Sequence, residues 1–484
     1  MKREFFINIV FLLIANLLIK PFYLLWIEVE VNNIVGPNIY GAYASVLSFC
    51  FIFQIIADPG LLYYNTTNIA TDHNRLASQF RDMFGLKIFL GFLFGLAVLI
   101  LAFAVGYGPK MWEILPWVAL NIFLISLILF LRSNVSAIGK YRWDSLFSIL
   151  DKSLMILILV YMIYFAADRS SFGIMDFIYG QTIAYSISAT VVLLFLLLQK
   201  VNILPRFDFK IFKKILIESL PFASIIFLMT IYTRIDSFML ERLLSDDAYQ
   251  AGIYASAFRI FDAGNSFAYL FAVLLLPIFS NMVSKGQQVQ DLVEASSKFL
   301  GSGIIVVSIV FMFYALDIMS FFYPTDATTE YSQAFIFLMV ALVPMALAYI
   351  SGSFLTAINQ LKLLNKIAVW GVVVNIVLNL ILIQTHGATG AAIATAATQL
   401  TMTLIQWTFV YRKLDKKPSS SLIFRFLILI IFTCVGSFLL ASLSFLPLLI
   451  NIILSIMIGL IIAFTLGTFQ LDVLKVLLKH KRST

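Results

Sequence analysis

The chain has 484 residues, 61% of them hydrophobic and 12% charged, with a formal net charge of +8. A soluble fold of this composition would need an impossibly apolar surface, so soluble enzymes and soluble binding modules are excluded. The positive balance sits in the connections between apolar runs, where it meets anionic headgroups, and does not argue for a nucleic-acid partner.

About fourteen apolar stretches follow one another in chain order, each long enough to cross a bilayer core of about 30 Å, which takes about 20 helical residues. They lie near 6–28, 41–62, 82–106, 111–131, 145–166, 174–198 and 215–240, then 250–283, 299–320, 333–357, 367–384, 388–411, 422–444 and 447–469. Helices satisfy their own backbone hydrogen bonds in lipid. The pattern therefore predicts an all-α integral membrane protein of about 14 transmembrane helices. Lys2 and Arg3 before the first run resemble a signal peptide, but Lys20-Pro21 interrupts it and no small-residue cleavage site follows, so a retained helix is expected.

Cations alternate between connections. The even-numbered connections and both chain ends hold 24 Lys and Arg, among them Arg75, Arg81, Arg132, Lys140, Lys200, Arg206, Lys210 and Lys413. The odd-numbered connections hold Lys110, Arg169 and Arg242. Cytoplasmic termini are expected, and a missed helix would invert the bias downstream. Asn65-Thr66-Thr67 fits a glycosylation sequon but falls on the expected cytoplasmic side. Cys50 and Cys434 lie in separate spans, so no disulfide framework is expected.

The basic linker 199–214 separates spans one to six (1–198) from spans seven to twelve (215–411); spans thirteen and fourteen with a basic tail complete the chain (412–484). The two halves repeat. Gly41-Ala42-Tyr43-Ala44-Ser45 answers Gly252-Ile253-Tyr254-Ala255-Ser256, and Gly180-Gln181-Thr182-Ile183-Ala184 answers Gly390-Ala391-Ala392-Ile393-Ala394, at offsets of 211 and 210 positions. A duplicated six-helix unit is expected, with the two copies as pseudo-twofold-related lobes of the same orientation, an arrangement typical of transporters. Spans thirteen and fourteen should be peripheral. Small residues also recur because helices pack through them, which accounts for Gly91 and Gly95 but poorly for the paired motifs.

Ionisable residues inside spans carry the functional signal, because a charge at the bilayer centre costs about 2.5–3.5 kcal/mol or more. Lys20, Lys87, Arg234 and Arg259 outnumber Asp236 and Asp262, so a cavity they faced would prefer an anion. Adding 211 to Lys20 gives position 231, one turn from Arg234, so both cations are expected in one cavity. Pro21 removes a backbone donor and is the expected flex point. Each residue also has a plainer reading. Arg259 and Asp262 are spaced to pair within one helix. Asp58-Pro59-Gly60 reads as a helix end. Asp151, Lys152 and Glu218 read as interfacial or snorkelling groups, and Asp317 as a rim residue. No phosphate loop, nucleophile elbow or metal-spaced cluster appears, and His73 and His386 read as loop residues. No cofactor is expected.

The stretch Gly36-Pro37-Asn38-Ile39-Tyr40-Gly41-Ala42-Tyr43, continuing to Asp58-Pro59-Gly60-Leu61, resembles the second-helix region of bacterial polysaccharide flippases. So do Arg234-Ile235-Asp236-Ser237-Phe238, Gly252-Ile253-Tyr254-Ala255, the run from Arg259-Ile260-Phe261-Asp262 to Leu276-Pro277-Ile278-Phe279-Ser280, and Gly387-Ala388-Thr389-Gly390-Ala391. The chain is similar throughout to Wzx-type O-antigen flippases, in the polysaccharide-transport branch of the MATE/MOP superfamily. The resemblance implies two six-helix lobes plus two peripheral helices. It also implies an undecaprenyl-diphosphate-linked oligosaccharide as cargo, carried across the bacterial inner membrane, with the membrane lipids and the glycan polymerase or export machinery as partners. Lys20, Arg234, Arg259 and Lys87 are then the candidates for holding the cargo, and Asp236 and Asp262 those for coupling to H+ or Na+. Gln54, Asn121, Tyr232 and Asn375 are candidates for recognising sugars. A cation-coupled multidrug exporter and a lipid II flippase share the pattern. A glycan polymerase fits less well, since the expected outer connections are all short.

Overall fold

The computed structural model describes residues 16, 18–62, 64–65, 76–166, 172–245, 248–414, 420–442 and 447–469. The start of the first expected span, His73, His480 and the basic tail lie outside the described residues. Among the described residues every regular element is a helix.

Helix α1 covers residues 18–35 and contains a π-helical turn, Tyr23–Ile27, before Glu28–Val35. The turn begins two residues after Pro21, and its bonding closes with the Glu28 N–H on the Tyr23 carbonyl. Proline cannot donate, and such turns cluster where a helix must deform. Gly36, at φ 80°, ends α1, and Pro37 opens α2, Pro37–Phe53, as the residue preferences of helix ends require. A 3-10 turn, Gln54–Ile56, then leads to Asp58-Pro59-Gly60.

The chain continues through α3 (Leu76–Val105), α4 (Pro109–Ala137), α5 (Tyr141–Val160, extended by a π turn Tyr161–Phe165), α6 (Ile174–Leu198), α7 (Phe209–Leu243) and α8 (Tyr249–Ser284). After them come α9 (Gln290–Phe313), the short α10 (Ala315–Phe322), α11 (Thr329–Ala357), α12 (Leu361–Lys413), α13 (Ser420–Ala441) and α14 (Leu448–Thr465). Helix α12 is two helices joined at Gly387, whose φ of 53° and ψ of −131° suit glycine alone. The chain doubles back so sharply there that a Cβ on Gly390 would lie 2.1 Å from the Leu382 carbonyl oxygen. The expected spans eleven and twelve are its two arms.

Eleven helices among the described residues are long and apolar enough to cross a membrane. Counting α12 as two arms brings these to twelve, α7 covers the seventh expected span, and α1 holds the described part of the first, in keeping with a count of about fourteen. Asp208 caps α7 by accepting from the Lys210 and Ile211 N–H groups at 3.0 and 3.3 Å.

The helices form two compact units, residues 1–255 and 256–484. The division falls inside α8 rather than in the linker 199–214. The reason lies within unit 1, where α7 packs along α2 through Phe238 against Phe49. The linker itself straps the start of α3: the Arg206 N–H donates to the Arg81 carbonyl at 3.0 Å, and Arg81 Nε donates to the Leu204 carbonyl at 3.1 Å.

Unit 1 has an apolar core built on Tyr23, Phe49, Phe94, Leu115, Met155 and Phe177, and a second around Phe80, Phe130 and Val192. In unit 2, α13 and α14 lie against α9 through Val306, Leu429 and Ala463. Their other faces expose Phe432, Phe438, Ile453 and Phe464. They are peripheral, as expected, and these faces suit lipid contact.

Candidate functional site

A polar seam runs through the apolar core of unit 1. It is assembled from α1, α2, α5 and α6. Gln181 stands at its middle: its Nε2 donates to the Tyr23 and Tyr43 hydroxyls at 3.2 and 3.1 Å. Tyr40 donates to Glu28 Oε2 at 3.0 Å. Lys152 Nζ donates to the Tyr185 hydroxyl at 3.0 Å and lies over the rings of Tyr23 and Tyr185, 4.8 and 5.1 Å from their centroids. Its neighbour Asp151 approaches it only to 3.6 Å. Tyr23, Tyr40, Tyr43, Glu28 and Gln181 are all buried. A buried polar network of this kind is stable only when its members satisfy one another.

Lys20 belongs to this seam. It is half-buried, and the charged groups that act on it are Asp151, Arg132 and Lys152. It makes no hydrogen bond or ion pair to any described residue. Arg132 is itself matched by Asp144, 2.9 Å away. Arg234, also in unit 1, is half-buried with its guanidinium over the Phe51 ring at 4.8 Å. Two residues on, Asp236 is buried and accepts from the Tyr254 hydroxyl. Arg234 and Asp236 thus point different ways, as their spacing requires.

Lys87 does not offer its charge to a cavity in this conformation. Its side chain has no exposed surface. The ammonium donates to Asp58 Oδ2 at 2.8 Å, the Ala57 carbonyl at 3.0 Å and Ser126 Oγ at 2.7 Å. Three acceptors exhaust its three donors. The ion pair fastens α3 to the break that follows α2. Asp58, read as a helix end, is that and also the counter-ion.

In unit 2, Arg259 is buried and Asp262 half-buried on α8. Asp262 makes no hydrogen bond or ion pair to any described residue. Of the residues expected to recognise sugars, Asn121 is engaged between α4 and α6, donating to the Ile178 carbonyl at 3.3 Å and accepting from Thr182 at 2.8 Å. Asn375 is fully buried and accepts from Asn379 at 3.1 Å. Tyr232 is buried and Gln54 half-buried.

Two groups of the seam escape a reading of the sequence alone. Glu28 falls at the end of the first apolar run, where a carboxylate signals only a helix end. Lys152 is the twelfth residue of a helical stretch that runs from Tyr141 to Phe165, so it is midway along and does not snorkel. The usable signal is Tyr185 in the middle of an apolar run, a hydroxyl that needs a partner when buried.

The described helices, eleven of them long and apolar enough to cross a membrane, mark a multi-pass membrane protein with a charged seam inside unit 1. The chain belongs to the family of polysaccharide biosynthesis proteins, whose model matches residues 6–283. It is homologous to a probable low-salt glycan biosynthesis flippase of Haloferax volcanii, Agl15, 31% identical over 147 residues, which are 30% of this chain and 31% of that protein. The match therefore spans about a third of the relative's length. Among solved structures, the lipid II flippase MurJ in an inward closed conformation aligns with a TM-score of 0.70, at 17% identity over 97% of this chain and 99% of its own. A multidrug resistance MATE family transporter, inward-facing, aligns at 0.64 and 16% identity over 83% and 94%. A MOP superfamily transporter from Pyrococcus furiosus aligns at 0.57 and 12% identity over 84% and 95%. At these identities the likeness is one of fold. The similar proteins are transporters and flippases.

Proposed function

We propose that this protein moves an undecaprenyl-diphosphate-linked oligosaccharide, an O-antigen, capsule or exopolysaccharide repeat unit, from the cytoplasmic to the periplasmic leaflet of a bacterial inner membrane. Its termini are cytoplasmic, and it works by alternating access. The observation that carries this reading is the pair of cations Lys20 and Lys152 held in the interior of a chain of the polysaccharide biosynthesis family. An intramembrane cation with few acceptors suits an anionic headgroup. The lipid tail stays in the bilayer while the sugar diphosphate passes through the protein.

In this reading Lys20 and Arg234 of unit 1 bind the diphosphate, and Arg259 is the candidate cation of unit 2. Asp236 and Asp262 take up and release the coupling ion, H+ or Na+. The π turn after Pro21 lets α1 flex. Glycan polymerase or export components receive the product. The family match favours this cargo over a drug cation, even though multidrug MATE transporters share the fold. Lipid II remains the second reading on the likeness to MurJ.

The test is complementation of a deletion strain with Lys20→Ala and Arg234→Ala at matched membrane expression. Surface glycan should fall to the deletion level in both. Normal surface glycan in either variant removes that residue from the site.

A further inference from the structure

We propose that Lys152 is a second cargo-binding cation, which acts with Lys20 as a two-ammonium clamp on the diphosphate; this rests on the reading of the cargo as a lipid diphosphate. The geometry begins with Tyr23. Lys20 and Tyr23 are three residues apart on one helix, so they lie on the same face. Lys152, from α5, lies over the Tyr23 ring at 4.8 Å. Lys152 thus stands against the face of α1 that also carries Lys20, and the two lysines come from helices that the chain separates by more than a hundred residues. Lys152 is among the charged groups acting on Lys20.

Donor bookkeeping points to an anion. An ammonium has three N–H donors. Lys152 has one short oxygen acceptor, the Tyr185 hydroxyl at 3.0 Å; Asp151 Oδ2 stands at 3.6 Å and Met155 Sδ at 3.7 Å. Lys20 has no described acceptor. Lys87, in the same unit, shows the opposite case, with three short oxygen acceptors. Lys87 is thus held by three short oxygen contacts, Lys152 by one short contact and two long ones, and Lys20 by none among the described residues.

The remaining contacts of Lys152 suit transient binding. Tyrosine faces attract a cation without supplying full counter-charge. They hold the ammonium in place, while its long contacts to Met155 and Asp151 can be exchanged for a stronger acceptor. Its side chain is 20% exposed, so a headgroup can reach it. Two separated ammonium groups match two linked phosphates better than one.

The experiment uses the full-length protein in nanodiscs of neutral lipid. Binding of undecaprenyl diphosphate and of undecaprenyl monophosphate is compared for the wild type, Lys20→Met, Lys152→Met and the double variant. Charge-assisted hydrogen bonds contribute about 1.5–3 kcal/mol. Each single variant should therefore lose on the order of tenfold to a hundredfold in diphosphate affinity, and the preference for diphosphate over monophosphate should collapse. A merely structural lysine would leave that ratio unchanged. Where Lys152→Met does not fold, Lys152→Gln keeps a donor, removes the charge and should lose the same preference.

Wild-type affinity and ratio in the Lys152 variants, with loss in Lys20→Met, would overturn the clamp and leave the cargo reading intact. No loss in any variant would overturn both. Equal competition by phosphatidylglycerol would make the site one for bulk anionic headgroups and would also overturn the clamp.

Discussion

Gly41 and Gly252 touch through their backbones. A Cβ on Gly41 would lie 2.1 Å from the Ala248 carbonyl oxygen and 2.5 Å from the Gly252 nitrogen, and one on Gly252 would lie 2.0 Å from the Pro37 carbonyl oxygen. These are the first residues of the two Gly-x-Tyr-Ala-Ser motifs, 211 positions apart. The contact gives the repeated glycine a physical reason: each copy must lack a side chain where α2 and α8 cross. The tyrosines of the motifs behave alike too, Tyr43 donating to Gln181 and Tyr254 to Asp236.

Gly41→Ala and Gly252→Ala should each lower the stability of the detergent-solubilised protein by about 1–3 kcal/mol, the usual penalty for overpacking. Thermal unfolding followed by tryptophan fluorescence reads this. Gly95→Ala is the control, since a Cβ there meets nothing within 4 Å. Equal melting of all three would mean the crossing is loose.

Lys87 and Asp58 form a buried pair, so removing one partner should hurt more than removing both. Lys87→Met should destabilise by about 3–5 kcal/mol, because it strands the Asp58 carboxylate. Adding Asp58→Asn to it should recover part of that loss. A double-mutant cycle on melting curves measures the coupling; strict additivity would show that the two charges act independently.

Gly387 sits at φ 53° and ψ −131° between the arms of α12. A β-branched residue cannot adopt that geometry without strain. Gly387→Val should reduce the yield of folded protein several-fold, whereas Gly106→Ala, at a positive φ in open space, should be milder. Size-exclusion profiles of fluorescent fusions compare the two. The same profile for both would mean that the turn relaxes.

Much of this architecture was legible because the bilayer imposes length. Apolar runs and alternating basic connections mark spans whatever their partners are, so α2 to α9 stand close to where the sequence puts them. The break at Gly387 was legible for a local reason, that glycine alone suits its backbone angles. What faces what was not legible. Lys87 and Asp58 lie 29 residues apart, and nothing local distinguishes a saturated lysine such as Lys87 from an unsaturated one such as Lys152. Glu28 meets Tyr40 only once α1 and α2 fold against each other. The rotation of a helix about its axis is set by packing, and periodicity is weak in spans that are apolar on every side.

The most direct test of the flippase account is the leaflet in which lipid-linked glycan accumulates when the gene is deleted, assigned with a membrane-impermeant probe and identified by mass. The account predicts undecaprenyl-diphosphate-linked repeat units protected from an outside probe, with polymer lost from the surface. Repeat units accessible from outside would contradict it and place the defect after translocation; normal surface glycan with altered drug tolerance would contradict it in favour of a multidrug exporter.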